Sequence, residues 1–209
     1  MGTGIFEQCH YLMGFEDTLM NLLMEPEDMH ELVDAIGEYR FQYAKLLVDR
    51  LHPDAILSHD DWGAKNALFM RPETWRDYFK EHYRRIYGYM RDHGVIVIHH
   101  ADSYCEPIAE DMAEIGIDIW QGVLPTNDIL AIQNKLQGRM ILMGGIDSVI
   151  DRADSTEVEI RTEVRRACET YAPGGHYIPC LTYGGKDSGI YPNTDTIIND
   201  EINRYNERR

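Results

Sequence analysis

Basic residues are scarce in this chain: 20 lysines and arginines stand against 36 aspartates and glutamates, a formal net charge of −16 at pH 7. That balance argues against nucleic acid or an anionic membrane as a sequence-independent partner, since both need basic patches. Long apolar runs are missing too. No stretch approaches the roughly 18 apolar residues of a membrane span, and the opening "MGTGIFEQCHYLMGFED" lacks the basic-then-apolar order of a signal peptide. The four cysteines, Cys9, Cys105, Cys168 and Cys180, lie far apart. Such spacing suits a reduced chain and not a disulfide scaffold, so the expected compartment is the cytoplasm. No segment is of low complexity or rich in Gly, Ser or Pro, and residues 1–209 are read as a single domain.

What is present is an alternation. From Pro26 a helical pattern runs through Met29, Leu32, Val33, Ile36, Tyr39, Tyr43, Leu46 and Leu47 to His52-Pro53, with acids at its N-terminal end. A short apolar strand at 55–58 follows, then a helix in "RPETWRDYFKEHYRRIYGYMRDHG" with Gly94 placed to stop it. Strands in "VIVIH", "IDIWQG", "MILMGG" and "HYIPC" then alternate with helices in "EPIAEDMAEIG", "NDILAIQNKLQ", "STEVEIRTEVRRACETYAP" and a closing one near residues 193–207. Five short apolar strands, each followed by an amphipathic helix, predict an α/β fold with parallel strands, because a parallel connection needs a crossover. Met20, Met24 and Met29 recur at helical spacing and are read as helix packing.

The reactive residues are not scattered over this pattern. "SHDDWG", "HHADSYC", "QGVLPTND", "GGIDS" and "PCLTYGGKDSG" all follow the C-terminal end of a strand. In α/β folds the βα loops converge on that face, and ligands bind there. The opposite loops, such as "LHPD", "DHG" and "LQGR", carry turn chemistry only. An enzyme or small-molecule binder is therefore expected. His99 and His100 alternate across their strand, so one points inward and one toward the helices, and His100 is the stronger site candidate. Cys180 is either a small buried hydrophobe or, with His100, part of a zinc-type donor pair. Asp60, Asp61 and Asp147 read either as caps or as pocket carboxylates. Cys168 is assigned to the core, Cys105 to the start of a helix, and Cys9 lies too early to place.

Taken together, "EPEDMHELVDAI", "HPDAILSHDDWGAKNALFMRPETWRDYFKEHYRRI", "VIVIHHADSYCEPIAEDMAEIGIDIWQGVLP", "MILMGGID" and "GGHYIPCLTYG" resemble the uroporphyrinogen decarboxylase superfamily over essentially the whole chain. The resemblance implies the later part of a (β/α)8 TIM-type barrel, about five βα units, with the first three wanting. An uncovered edge of that kind is expected to lead to homo-oligomers or other association.

The superfamily's chemistry is either metal-free decarboxylation of a porphyrinogen or zinc-dependent methyl transfer between a small methylated compound and a corrinoid protein. The early arginine-rich motif and catalytic aspartate of the decarboxylases have no counterpart here, and Tyr183 stands where their late loop carries a histidine. The methyltransferase motif, His-x-Cys with a later Cys, is matched by His100, with Asp102 in place of the first cysteine and Cys180 three residues before the usual position. The expectation is thus a methyltransferase-like enzyme with zinc or acid assistance and a corrinoid on a partner protein. Zinc would fall to His100, Asp102 and Cys180; His100, Asp102 and Tyr183 would carry the chemistry; Asp60, Asp61, Gln121 and Asp147 would line the substrate pocket. The alternatives are a decarboxylase-like carboxy-lyase of porphyrin biosynthesis and an inactive barrel remnant that binds a partner.

Overall fold

The structure is a computed structural model that describes residues 1–182 and 190–208. Tyr183 lies outside the described residues. Five strands, β1 (Ala55–His59), β2 (Ile96–His100), β3 (Ile119–Val123), β4 (Ile141–Gly145) and β5 (Tyr177–Cys180), form one parallel sheet in chain order. Parallel neighbours in chain order, joined by right-handed crossovers, place every crossover helix on the same face. The architecture is therefore α/β, a partial (β/α)8 barrel of five βα units.

The helices begin and end where local chemistry dictates. The long α3 (Pro26–Leu51) starts on a proline at its first position and ends at His52 in a left-handed conformation with φ 47°. The segment from Pro72 runs without a break through α4 (Pro72–Trp75), a π-turn at Arg76–Lys80 and α5 (Glu81–Asp92). Then come α6 (Ala109–Glu114), α7 (Ile129–Leu136), capped by the Asp128 side chain on Ala131 N, and α8 (Glu157–Tyr171). Thr156 and Glu159 close a capping box at the start of α8, each accepting the other's backbone N–H. The last helix, α9 (Pro192–Glu207), is held to α8 by Glu201, which pairs with both Arg161 and Arg165.

Along each strand the side chains alternate between two unlike surroundings. Ile56, Ser58, Val97, His99, Trp120 and Leu142 are buried against the helix layer, whose core includes Trp62, Trp75, Phe79, Tyr83 and Tyr87. Each large apolar side chain buried there contributes roughly 1.5–3 kcal/mol. The opposite face, which would be the barrel interior, is only partly covered: Leu57 is 49% and Ile96 47% exposed. The outer edge of β1 is met by residue 1, whose ammonium donates to Leu57 O at 2.5 Å while its carbonyl accepts from His59 N at 3.3 Å.

Two features depart from the sequence reading. Residues before Pro26 form two further helices, α1 (Ile5–Met13) and α2 (Phe15–Met24), and Cys9 is buried among the core residues. Met20 and Met24 do not pack: they are 52% and 68% exposed. In α3 the buried row is Met29, Val33, Ile36, Gly37, Arg40, Ala44 and Val48. Tyr39, Tyr43 and Leu46 share the helical spacing but face solvent. Apolar periodicity on α3 is wider than the face the sheet needs.

Candidate active site at the C-terminal ends of the strands

His59 and His100 end β1 and β2 and stand directly opposite each other in the parallel register. Both are on the face away from the helices, so their rings meet, centroids 4.7 Å apart at 80°. Two residues beyond β1, Asp61 turns back and places Oδ2 3.3 Å from His59 Nε2. Its other oxygen accepts the Asp102 backbone N–H at 3.1 Å, which fixes the carboxylate between the two loops. Glu7, on α1, brings Oε1 to 3.5 Å from the same His59 nitrogen.

His100 is oriented from the next strand. Its Nδ1 hydrogen-bonds to Gln121 Oε1. A carbonyl oxygen can only accept, so Nδ1 carries the proton and the neutral ring keeps its lone pair on Nε2. Gln121 reaches this position because β3 has a register shift between Gln121 and Val123. At the shift stands Gly122 with φ +112°, and any Cβ there would lie 2.6 Å from Ala101 O. Only glycine combines that backbone conformation with that close approach.

Charge in this cluster is tuned by neighbours. The hydrogen bond that the His59 ring N–H donates to Asp61 is the main cause that raises the His59 pKa, burial opposes it, and Glu7 adds to the rise. Asp102 is raised as well, first by burial and then by the Asp61 charge beside it. Both shifts favour protonated groups at the pocket wall. Beside Asp102 lies a cavity of about 240 Å³ lined by Gly63, Ala64, Lys65, Asp102, Leu124 and Ser148. These residues come from the loops after β1, β2, β3 and β4, so four βα units contribute to one pocket.

The expected site residues divide accordingly. His100, Gln121, Asp61 and Asp102 are brought together, and Asp102 lines the cavity. Asp60 does not line it. Its side chain is fully buried, and its carboxylate accepts hydrogen bonds from Phe6 N (3.0 Å), Glu7 N (2.9 Å), Trp62 Nε1 (2.9 Å) and Tyr83 Oη (2.5 Å). It caps the N-terminus of α1 from outside the helix, and burial pushes its pKa up to about 6. Asp147 accepts Val149 N at 3.0 Å and so caps the turn after β4; its neighbour Ser148 reaches the cavity. His99 is a core group: Tyr87 Oη lies 2.8 Å from Nδ1, Nε2 donates to the Asp60 carbonyl at 3.2 Å, and burial lowers its pKa to about 3.

Donor atoms for a cation also group differently from the expectation. Among the described residues the side chains whose ligand atoms all lie within 4.8 Å of one another are His59, Asp61 and His100. Neither Asp102 nor Cys180 belongs to that group; Cys180 Sγ turns to the Leu181 carbonyl at 3.6 Å. The residues present fit a zinc-type cation, since two imidazoles and a carboxylate are accepted zinc donors, but not through the set that the family motif implied. His59 and Glu7 were the residues not foreseen. Strand alternation carried the signal for His59, because in-register pairing puts it beside His100; nothing local pointed to Glu7.

Among the described residues, no helix is long and apolar enough to cross a membrane. The profile of the family Uroporphyrinogen decarboxylase (URO-D) matches residues 2–196. A comparison with curated proteins gives no match. A solved methyltransferase from Methanosarcina mazei superposes with a TM-score of 0.74 at 17% identity, over 98% of this chain and 58% of that one. Dihydropteroate synthase from Anaplasma phagocytophilum, with 6-hydroxymethylpterin-monophosphate bound, superposes with a TM-score of 0.58 at 16% identity, over 85% of this chain and 69% of that one. At these identities the likeness is one of fold, and the chain spans less than two thirds of the methyltransferase's length. With the profile matching from residue 2 to residue 196, the chain belongs to the uroporphyrinogen decarboxylase family.

Proposed function

We propose that the protein is a methyltransferase-like enzyme that moves a methyl group between a small methylated compound and the corrinoid of a partner protein. The observation that carries this reading is the convergence of His59, Asp61, His100 and Asp102 beside a small cavity at the strand ends. At about 240 Å³ the cavity is below the usual range for drug-sized ligands and suits a compound of a few heavy atoms. Likeness to the M. mazei methyltransferase supports the choice of chemistry by analogy of fold alone.

In this reading the methyl–heteroatom bond breaks as the methyl group passes to the cobalt nucleophile. The heteroatom leaves with the bonding electron pair and needs a proton. Protonated His59, held by Asp61, is the donor, and Asp61 stabilises the charge before transfer. Gln121 keeps His100 in one tautomer, with Nε2 free to accept a hydrogen bond or a cation. Asp102 and Ser148 orient polar groups of the compound from the cavity wall. Were zinc bound by His59, Asp61 and His100, His59 would be neutral and the metal's Lewis acidity would stand in for its proton. The association expected of an incompletely covered barrel is part of the proposal, because Leu57 and Ile96 leave an apolar surface for a partner or a second copy.

The test is turnover of the purified chain with a panel of methylated thiols, amines and alcohols and free cob(I)alamin, followed by the absorbance of methylcobalamin. Formation of methylcobalamin that falls at least about 100-fold in His59→Gln, the loss expected when a general acid is removed, supports the proposal. Release of CO2 from a porphyrinogen replaces it with decarboxylation. Failure of both leaves the binding remnant.

A further inference from the structure

We infer that His59, Asp61 and His100 form a binding site for one divalent transition-metal cation, with no cysteine in the coordination sphere. The inference stands on the donor geometry and holds whether or not the protein transfers methyl groups.

Tetrahedral coordination at the usual zinc distances places donors about 3.4 Å apart. His59 Nε2 and Asp61 Oδ2 are already at 3.3 Å. The widest separation in the group is within 4.8 Å, so side-chain adjustments of roughly 1.4 Å bring all three donors to a common centre. Strand register makes this cheap, since His59 and His100 hang from paired positions of adjacent strands and need no backbone movement.

The atoms that surround the donors are arranged as metal sites require. A ligating imidazole donates its other N–H to an oxygen acceptor, and His100 does so through Nδ1 to Gln121. A ligating carboxylate is held by a hydrogen bond on its second oxygen, and Asp61 Oδ1 accepts the Asp102 N–H. Glu7 Oε1 lies 3.5 Å from the same His59 Nε2 and adds negative charge beside the centre.

Charge points the same way. Glu7, Asp61 and Asp102 gather around two histidines, and among the described residues no lysine or arginine forms an ion pair with any of the three. Carboxylates this close together favour a positive charge between them, and a dication at this centre supplies it in place of protons. The donor set of two nitrogens and one oxygen suits zinc, cobalt or nickel in preference to calcium or magnesium, which favour all-oxygen shells. Three protein ligands also leave a coordination position for water or substrate, next to the cavity lined by Asp102.

The test uses the full chain stripped with chelator and titrated with Zn(II) by calorimetry and with Co(II) by absorption spectroscopy. The expected result is one equivalent bound, cobalt d–d bands of nitrogen and oxygen coordination, and no thiolate-to-cobalt charge-transfer band. Asp61→Asn and His59→Gln are each expected to weaken binding by at least about 100-fold, beyond the 10–100-fold typical of losing a supporting contact. Cys180→Ala should bind like the parent. Circular dichroism of each variant separates loss of the site from loss of the fold, and the cobalt spectrum of the parent chain needs no variant at all. Absence of stoichiometric binding overturns the inference, as does a charge-transfer band that disappears in Cys180→Ala. Methyl transfer by a chain that binds no metal in the titration would overturn this site and leave the proposed activity standing; stoichiometric metal binding without methyl transfer would do the reverse.

Discussion

Asp60 accepts a 2.5 Å hydrogen bond from the phenol of Tyr83, and the same phenol accepts the backbone N–H of Ile5 at 2.9 Å. With Phe6 N and Glu7 N on the Asp60 carboxylate, three N–H groups at the start of α1 are satisfied by side chains from elsewhere in the fold. Gly4 permits this, since a Cβ there would lie 2.1 Å from Asp60 Cβ. Asp60→Asn puts an NH2 donor in place of one acceptor oxygen, facing N–H and O–H donors, and a buried donor left unsatisfied costs about 1–3 kcal/mol. The expected loss in urea unfolding is about 2–4 kcal/mol, with about 1–2 kcal/mol for Tyr83→Phe. Hydrogen exchange should localise the weakening to residues 5–13. A variant as stable as the parent would show that α1 is held by packing alone.

Thiol chemistry should separate Cys180 from the other cysteines. Burial pushes Cys9 and Cys105 up to about 12 and Cys168 up to about 11, so none of them presents a thiolate at neutral pH. Cys180 is also raised by burial, yet it is the cysteine with partial exposure. In the native protein at pH 8 a disulfide reagent should modify one thiol, and Cys180→Ser should abolish that reaction. All four should react in denaturant. Rapid modification of more than one thiol in the native state contradicts the burial described above.

The sheet was legible because each strand is a short apolar run with turn chemistry before it and polar residues after it; "VIVIHH" shows the change within six residues. Counting those units predicts an α/β fold with parallel strands, and the family resemblance implies that they belong to a barrel. The α1 and α2 helices were not legible, because the N-terminal N–H groups of α1 are paired by Asp60 and Tyr83, more than 50 residues away, and its Gly4 cap adds no side-chain signal of its own. At the site, His100 stood out through its motif, whereas His59 sits in "SHDD", where only the pairing of β1 with β2 shows its role. Asp60 and Asp61 looked alike in sequence. Burial separates them: one is fixed in the core and the other stays at the pocket.

Glu201 should give α9 a pH-dependent hold on α8. Burial opposes its charge, but Arg165 at 2.9 Å and Arg161 at 3.1 Å overcome that, and its pKa falls below the ordinary 4.5. A carboxylate depressed in the folded state stabilises the fold above the unfolded pKa, and that stability is lost as pH falls through the folded pKa. Glu201→Gln should therefore cost about 1–3 kcal/mol at pH 7, less than a fully enclosed pair because Arg165 is partly exposed. The gap between parent and variant should narrow as pH drops below 4.5. A gap that is constant with pH would mean that Glu201 acts by packing and not by charge.

The half-covered sheet face predicts association. Leu57 on β1 and Ile96 on β2, two positions apart in the register, share this face and are each about half exposed, and Ile178 on β5 is exposed as well. In a closed barrel such residues interdigitate in the interior, so here they present an apolar surface to water. Burying it contributes roughly 25 cal/mol per Å², which favours a second copy or a partner over solvent once the covered area reaches the roughly 1,000 Å² of a specific interface. Sedimentation velocity over a wide range of protein concentration should report a mass above one chain, and a hydrophobic dye should bind at low concentration. Leu57→Glu combined with Ile96→Glu should abolish both signals without unfolding the helix layer, because both alternate with the buried strand positions that face the helices. A monomer that binds no dye at any concentration would mean that the face is covered within the chain itself.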